Sequence, residues 1–110
     1  MAPRVLRGIA IELDEPGTGE PVRRGQTVVV RVAGRLRRGD IFMEARECRF
    51  AIGARTVVAG LEYGVEGMRI GGRRRIRVPP HLGYRAAGIP GTVPPNAILW
   101  FDLELLGIQP

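Results

Sequence analysis

Apolar and polar side chains alternate at period two over most of this chain, and only one stretch breaks the rhythm. Residues 26–36 put Val28, Val30, Val32 and Leu36 on one face and Arg31, Ala33 and Arg35 on the other. Residues 97–108 do the same, with Leu99, Phe101, Leu103 and Leu105 against Trp100, Asp102 and Glu104. In residues 73–78, Arg73, Arg75 and Arg77 take the outer face and Ile76 and Val78 the other. Successive side chains of extended backbone point to opposite faces, so each pattern predicts a strand with one side on a core and one in water. A further strand is expected over residues 5–13, with Val5, Ile9, Ile11 and Leu13 sharing a face. Residues 41–52 read as a shorter strand pair or one bulged strand, with Phe42, Cys48, Phe50 and Ile52 inside.

Between residues 57 and 68 the period changes. Val58, Leu61, Val65 and Met68 fall at i, i+3, i+7 and i+10, one face of a helix. Gly60, Gly64 and Gly67 each cost that helix about 1 kcal/mol against alanine, so packing must hold it. Turn signals separate the elements: Pro16, Gly17, Gly19 and Pro21 early on, then Arg38-Gly39-Asp40, then Gly71-Gly72. The longest irregular stretch, residues 79–96, holds Pro79, Pro80, Pro90, Pro94 and Pro95, and long loops in compact domains commonly carry function. No strand–helix–strand alternation asks for a parallel sheet. The expected fold is therefore α+β, an antiparallel sheet curled over one short helix, forming a single domain over residues 1–110.

Composition removes several function classes. A hydrophobic share of 45% excludes a disordered chain. No apolar run approaches the length of a membrane span, and the N-terminal MAPRVLRGIAIELDEPG lacks the unbroken apolar stretch of a signal peptide. Cys48 is the only cysteine, so no intramolecular disulfide is possible and a reduced, cytoplasmic setting is expected for a soluble monomer. The net charge of +6 comes entirely from arginine, with no lysine, a bias that suits a GC-rich genome as well as a binding surface. The arginines are spread along the chain, and no aromatic interleaves with the densest group, Arg73, Arg74, Arg75 and Arg77. Nucleic-acid binding is therefore not expected.

The familiar catalytic constellations are missing as well. His81 and Cys48 are single residues of their types, serine is absent, and Thr18, Thr27, Thr56 and Thr92 are scattered. Neither a nucleophile–histidine pair nor a histidine-rich metal site can be assembled from these. Gly17-Thr18-Gly19 lacks the third glycine of a dinucleotide fingerprint, and Glu44 and Glu47 read as a solvated face. Chemistry without nucleophile, metal or cofactor is expected.

A more specific pattern runs through the second half: Val57-Val-Ala-Gly-Leu-Glu-Tyr-Gly-Val-Glu-Gly-Met68, Gly71-Gly-Arg, Val78-Pro-Pro-His-Leu-Gly-Tyr84, Gly88-Ile-Pro-Gly-Thr-Val-Pro-Pro-Asn-Ala97 and Leu99-Trp-Phe-Asp-Leu-Glu-Leu-Leu106. With Arg24-Gly-Gln-Thr-Val-Val-Val30 and Gly34, this array resembles the FKBP-type peptidyl-prolyl cis-trans isomerases over residues 5–108. The resemblance implies an antiparallel sheet wrapped round one short helix and isomerisation of X-Pro bonds in flexible or unfolded polypeptides. It also implies a pocket. Phe42, Tyr84 and Phe101 would form its catalytic walls, with Val57, Val58, Ile89 and Val93 as further substrate-binding positions. The N–H at Val58 and the hydroxyl of Tyr84 would each hold a ligand carbonyl. No cofactor is implied; proline-containing peptides or protein clients are the implied partners, with macrolides as weaker ligands.

Four positions depart from the family pattern. Val32, Cys48 and Leu61 stand where aromatics are usual, and Met43 stands where an acid normally follows the first phenylalanine. The segment between Phe42 and Phe50 is also several residues shorter. These four positions belong to the substrate-binding set, and three lost aromatics make the expected pocket wider or shallower. Reduced activity is the expectation. The alternative is a non-enzymatic FKBP-like binding or chaperone module for proline-containing segments.

Overall fold

The computed structural model describes residues 4–109, so residues 1–3 and 110 of the expected domain lie outside the described residues. Six strands form one antiparallel sheet: β1 (Arg4–Leu6), β2 (Ile9–Glu15), β3 (Thr27–Arg35), β4 (Ile41–Ala51), β5 (Arg73–Val78) and β6 (Leu99–Gln109). Their order across the sheet is β1-β2-β5-β6-β3-β4, which leaves β1 and β4 as the edges. One helix, α1 (Ala59–Val65), lies against the sheet, and a 3₁₀ turn (Pro80–Leu82) opens the long loop. The α+β architecture read from the sequence is the one observed.

Alternation accounts for the central strands. β5 is exposed and buried by turns along its whole length, and in β6 Leu99, Phe101, Leu103 and Leu105 are all buried. Val28, Val30 and Val32 bury β3 on the same side, and together these residues make one core with Leu61, Val65 and Met68 of the helical segment. Residues 41–52 resolve into the bulged-strand alternative: one strand, β4, whose pairing with β3 slips at Gly34.

The N-terminal segment differs from the expected single strand over residues 5–13. It is a hairpin, because Arg7 and Gly8 both adopt positive φ (52° and 88°) and reverse the chain between β1 and β2. A second irregularity falls between Ile11 and Leu13 in the pairing with β5. The alternation is thus reset twice. Ile9 and Ile11 are buried, whereas Val5 and Leu13 are exposed and do not share their face.

The glycines of the helix have a packing reason. A Cβ on Gly60 would lie 2.5 Å from Val78 Cγ1, and one on Gly64 2.4 Å from Ile76 Cδ1. Their bare backbone lets α1 press directly on β5. Its far end is tied down by Arg74, nearly buried, whose guanidinium donates to the carbonyls of Gly64 (3.0 Å) and Glu66 (3.2 Å) and pairs with Asp14 at 3.2 Å. A cation suits the carbonyl-rich end of a helix.

On the outer face the arginines of β5 meet acids across the ladder. Arg75 and Arg35 share Asp102 (2.8 and 3.1 Å), Arg73 pairs with Glu104 (3.8 Å) and Arg77 with Glu12 (3.6 Å). Pairs this exposed add little stability. They do neutralise the basic run locally.

Candidate functional site

Three rings from three separate parts of the chain converge at one end of the core. Phe42 comes from the start of β4, Tyr84 from the loop after the 3₁₀ turn, and Phe101 from β6. The Phe42 ring stands edge-on to Tyr84 with centroids 6.3 Å apart, and to Phe101 at 5.8 Å. Both are favourable arrangements for aromatic quadrupoles. Gly34 makes room for this contact, since a Cβ there would sit 2.6 Å from Phe42 Cζ. The slip of β4 at Gly34 also lets the adjacent Phe42 and Met43 both pack on the core, where strict alternation would send one outward.

The loop that carries Tyr84 is held by its own backbone. Arg85 N–H donates to Pro80 O (3.0 Å), Gly88 N–H to Tyr84 O (3.0 Å) and Asn96 N–H to Arg85 O (2.8 Å). Ile89 and Val93 exchange two 2.8 Å bonds, closing a tight turn in the loop that carries Tyr84. Val57 and Val58 sit half-buried in the approach to α1.

The proposed residues divide by depth. Phe101 and Val32 are completely buried and Val93 and Leu61 nearly so, which makes them floor and core. Phe42, Met43, Cys48, Val57, Val58, Tyr84 and Ile89 keep part of their surface in water. Phe42, Tyr84 and Phe101 are brought together directly, whereas Val32 and Cys48 lie along the inner faces of β3 and β4, with Cys48 opposite Val30.

Two polar groups are left without a hydrogen-bond partner. The Val58 N–H and the Tyr84 hydroxyl make no hydrogen bond among the described residues. Burial pushes the Tyr84 phenol above its usual value, with the Arg46 charge acting in the opposite direction. Tyr84 therefore stays a protonated donor at neutral pH. Arg46 was not singled out as a site residue by sequence, although its pairing with inward-facing Val32 carries the signal. The arrangement can desolvate a small apolar group and hold carbonyl oxygens, and it offers no group positioned for proton transfer.

Comparison with known proteins gives a consistent result. A family model described as FKBP-type peptidyl-prolyl cis-trans isomerase matches residues 18–106. The chain is 37% identical over 109 residues to FK506-binding protein 4 of Neurospora crassa, covering 96% of this chain and 23% of that protein. It is 36% identical over 112 residues to the 39 kDa FK506-binding nuclear protein of Drosophila melanogaster, covering 97% of this chain and 31% of the relative. The chain thus spans about a quarter of the length of the curated relatives it matches. Among solved structures, a peptidyl-prolyl cis-trans isomerase from Pseudomonas syringae superposes with a TM-score of 0.87 at 28% identity, covering 99% of this chain and 82% of that one.

Proposed function

The chain belongs to the FKBP-type peptidyl-prolyl cis-trans isomerase family, and on that premise we propose that it isomerises X-Pro bonds in flexible or unfolded polypeptides. The observation that carries the reading is the convergence of Phe42, Tyr84 and Phe101, with the Tyr84 hydroxyl left without a hydrogen-bond partner among the described residues. Rotation about an X-Pro bond must cross a barrier of about 18–20 kcal/mol set by amide resonance. The planar amide is more dipolar than the twisted one, so an apolar surface disfavours the ground state relative to the transition state. Each 1.4 kcal/mol or so removed from the barrier is a tenfold rate gain, so modest desolvation suffices. Phe42 supplies a part-exposed wall, with the buried Phe101 ring backing it; the Val58 N–H and Tyr84 hydroxyl hold carbonyls, with Ile89 and Val93 closing from the loop.

Activity below that of members with a fully aromatic pocket goes with this reading, because Val32, Cys48 and Leu61 present less surface to grip a ring. The same loss weakens binding of macrolides such as the FK506 for which the Neurospora relative is named. We assign a cytoplasmic setting, resting on Cys48 as the sole cysteine of the sequence, and a monomeric state; the Drosophila relative is named as a nuclear protein. No described helix is long and apolar enough to cross a membrane.

Complete burial of Phe101 favours one second reading, a binding module that holds proline-containing segments without turning them over. Nuclear magnetic resonance exchange between cis and trans forms of a short X-Pro peptide separates the two. Micromolar protein is expected to accelerate exchange above buffer. An unchanged rate, with shifted Tyr84 signals on titration, overturns the isomerase in favour of the module.

A further inference from the structure

Next to the aromatic site lies a cleft of about 380 Å³ between α1, the residues leading into it and the 3₁₀ turn. Four arginines from four segments line it, Arg7, Arg24, Arg55 and Arg85, against two carboxylates, Glu62 and Glu66. Both carboxylates are engaged. Glu66 pairs with Arg7 at 3.4 Å, and Glu62, 5% exposed, accepts the Arg55 backbone N–H at 3.0 Å. Arg7 is further occupied by the Tyr63 ring, 5.3 Å beneath its guanidinium. The side chains of Arg24, Arg55 and Arg85 have no acid or acceptor among the described residues. This is the reverse of the outer sheet face, where Arg73, Arg75 and Arg77 each have an acid in reach.

Arg55 and Arg85 both hold left-handed backbone (φ 62° and 59°), a conformation that a turn with no need of a side chain would give to glycine or asparagine. The buried Glu62 carboxylate fixes the first of these by its bond to the Arg55 N–H. Arg24 packs over Gly53, where a Cβ would stand 3.3 Å from its Nε. Three arginines whose side chains have no acid partner among the described residues thus line one cavity. The cavity adjoins the candidate site through two residues: Val57 lines it, and Arg85, which also lines it, directly follows Tyr84 in the chain.

We propose that this cleft is a substrate subsite for carboxylate side chains, so that the isomerase acts preferentially on X-Pro bonds within a few residues of Asp or Glu. The proposal rests on the isomerase reading given above. A peptide with its proline against Phe42 and Tyr84 runs past Val57 across the cleft. A guanidinium presents parallel donors that match a carboxylate, and a cluster of them raises the local concentration of acidic chains. Arg46, whose charge reaches Tyr84 from the β4 side, adds to the same field.

The test uses two dye-labelled peptides alike except that the residues flanking Ala-Pro are Glu in one and Gln in the other. Affinity is read by fluorescence anisotropy and catalysis by cis–trans exchange. The Glu peptide is expected to bind about fivefold tighter or better at low salt, an advantage falling below about twofold in R24Q/R55Q/R85Q and in about 0.5 M NaCl. The Gln peptide should bind and exchange alike on both proteins. Should the triple variant fail to fold, Arg85→Gln alone is expected to reduce the advantage about twofold. Equal affinities, or an advantage that survives the triple substitution, overturn the subsite, as does a single-stranded oligonucleotide that displaces the Glu peptide more strongly than unlabelled Glu peptide does. Absence of exchange catalysis with both peptides removes the isomerase reading alone, and the affinity comparison still decides the cleft.

Discussion

Tyr84 joins the edge-on ring contact with Phe42 to a hydroxyl that no neighbour uses, so its two halves can be tested separately. Tyr84→Phe keeps the ring and removes the donor. Its Tm is expected to stay within about 2 °C of the parent while exchange catalysis falls several-fold, since the hydroxyl has no hydrogen bond within the protein to lose. A large Tm loss would instead make the residue structural. Burial also sets the sign of its pH response. The folded-state phenol titrates above the ordinary 10.0, so the folded protein favours the protonated form. The stability this contributes is complete below the unfolded value and is lost as pH climbs through the folded one. Catalysis is expected to stay level from neutral pH up to about 10 and decline above it, and Tyr84→Phe should flatten that decline. Residue by residue, the convergence of Phe42, Tyr84 and Phe101 was legible through the family resemblance, which singles out those positions. The arginine cleft was not, because Arg7, Arg24, Arg55 and Arg85 are far apart in sequence and look like the rest of a scattered charge.

The seven-residue helix shows why local propensity misreads an element. Gly60 weakens α1 as an isolated helix and yet allows it to touch Val78 and the Leu82 carbonyl. Gly60→Ala gains about 1 kcal/mol in helix propensity and adds a methyl where β-branched Val78 cannot swing away. Overpacking of this sort costs about 1–3 kcal/mol, so the expected result is a lower Tm and a lower midpoint of denaturant unfolding. A stabilised variant would show that α1 stands off the sheet. Period two located β3, β5 and β6 because each has one face on the core. It failed at the N-terminus for a specific reason: Arg7-Gly8 turns the chain through left-handed backbone without the Asn-Gly or Asp-Gly signature of a two-residue hairpin loop.

At the scale of the molecule, one core links the four inner strands and the helix, so damage at its centre is felt everywhere. Leu103 is 2% exposed and pairs with Val32 on one side and Arg74 on the other. Leu103→Ala is expected to cost about 2–5 kcal/mol in denaturant unfolding while exchange activity per folded molecule stays near that of the parent. A loss well below 1 kcal/mol would mean the sheet does not close over the helix as described. Fold class was readable at this scale because a single short helical segment interrupts the alternating ones, with no repeated strand–helix–strand alternation; the sheet order was not, because β5 inserts between β2 and β6 by long-range pairing. The two strands left at the ends of that order are guarded differently. β1 has three described residues, and the long β4 carries Glu44, Arg46, Glu47 and Arg49 in water. A neighbouring copy offering its own strand to β4 would meet misplaced charges along that edge, so concentrated solutions should resist fibrous aggregation through it.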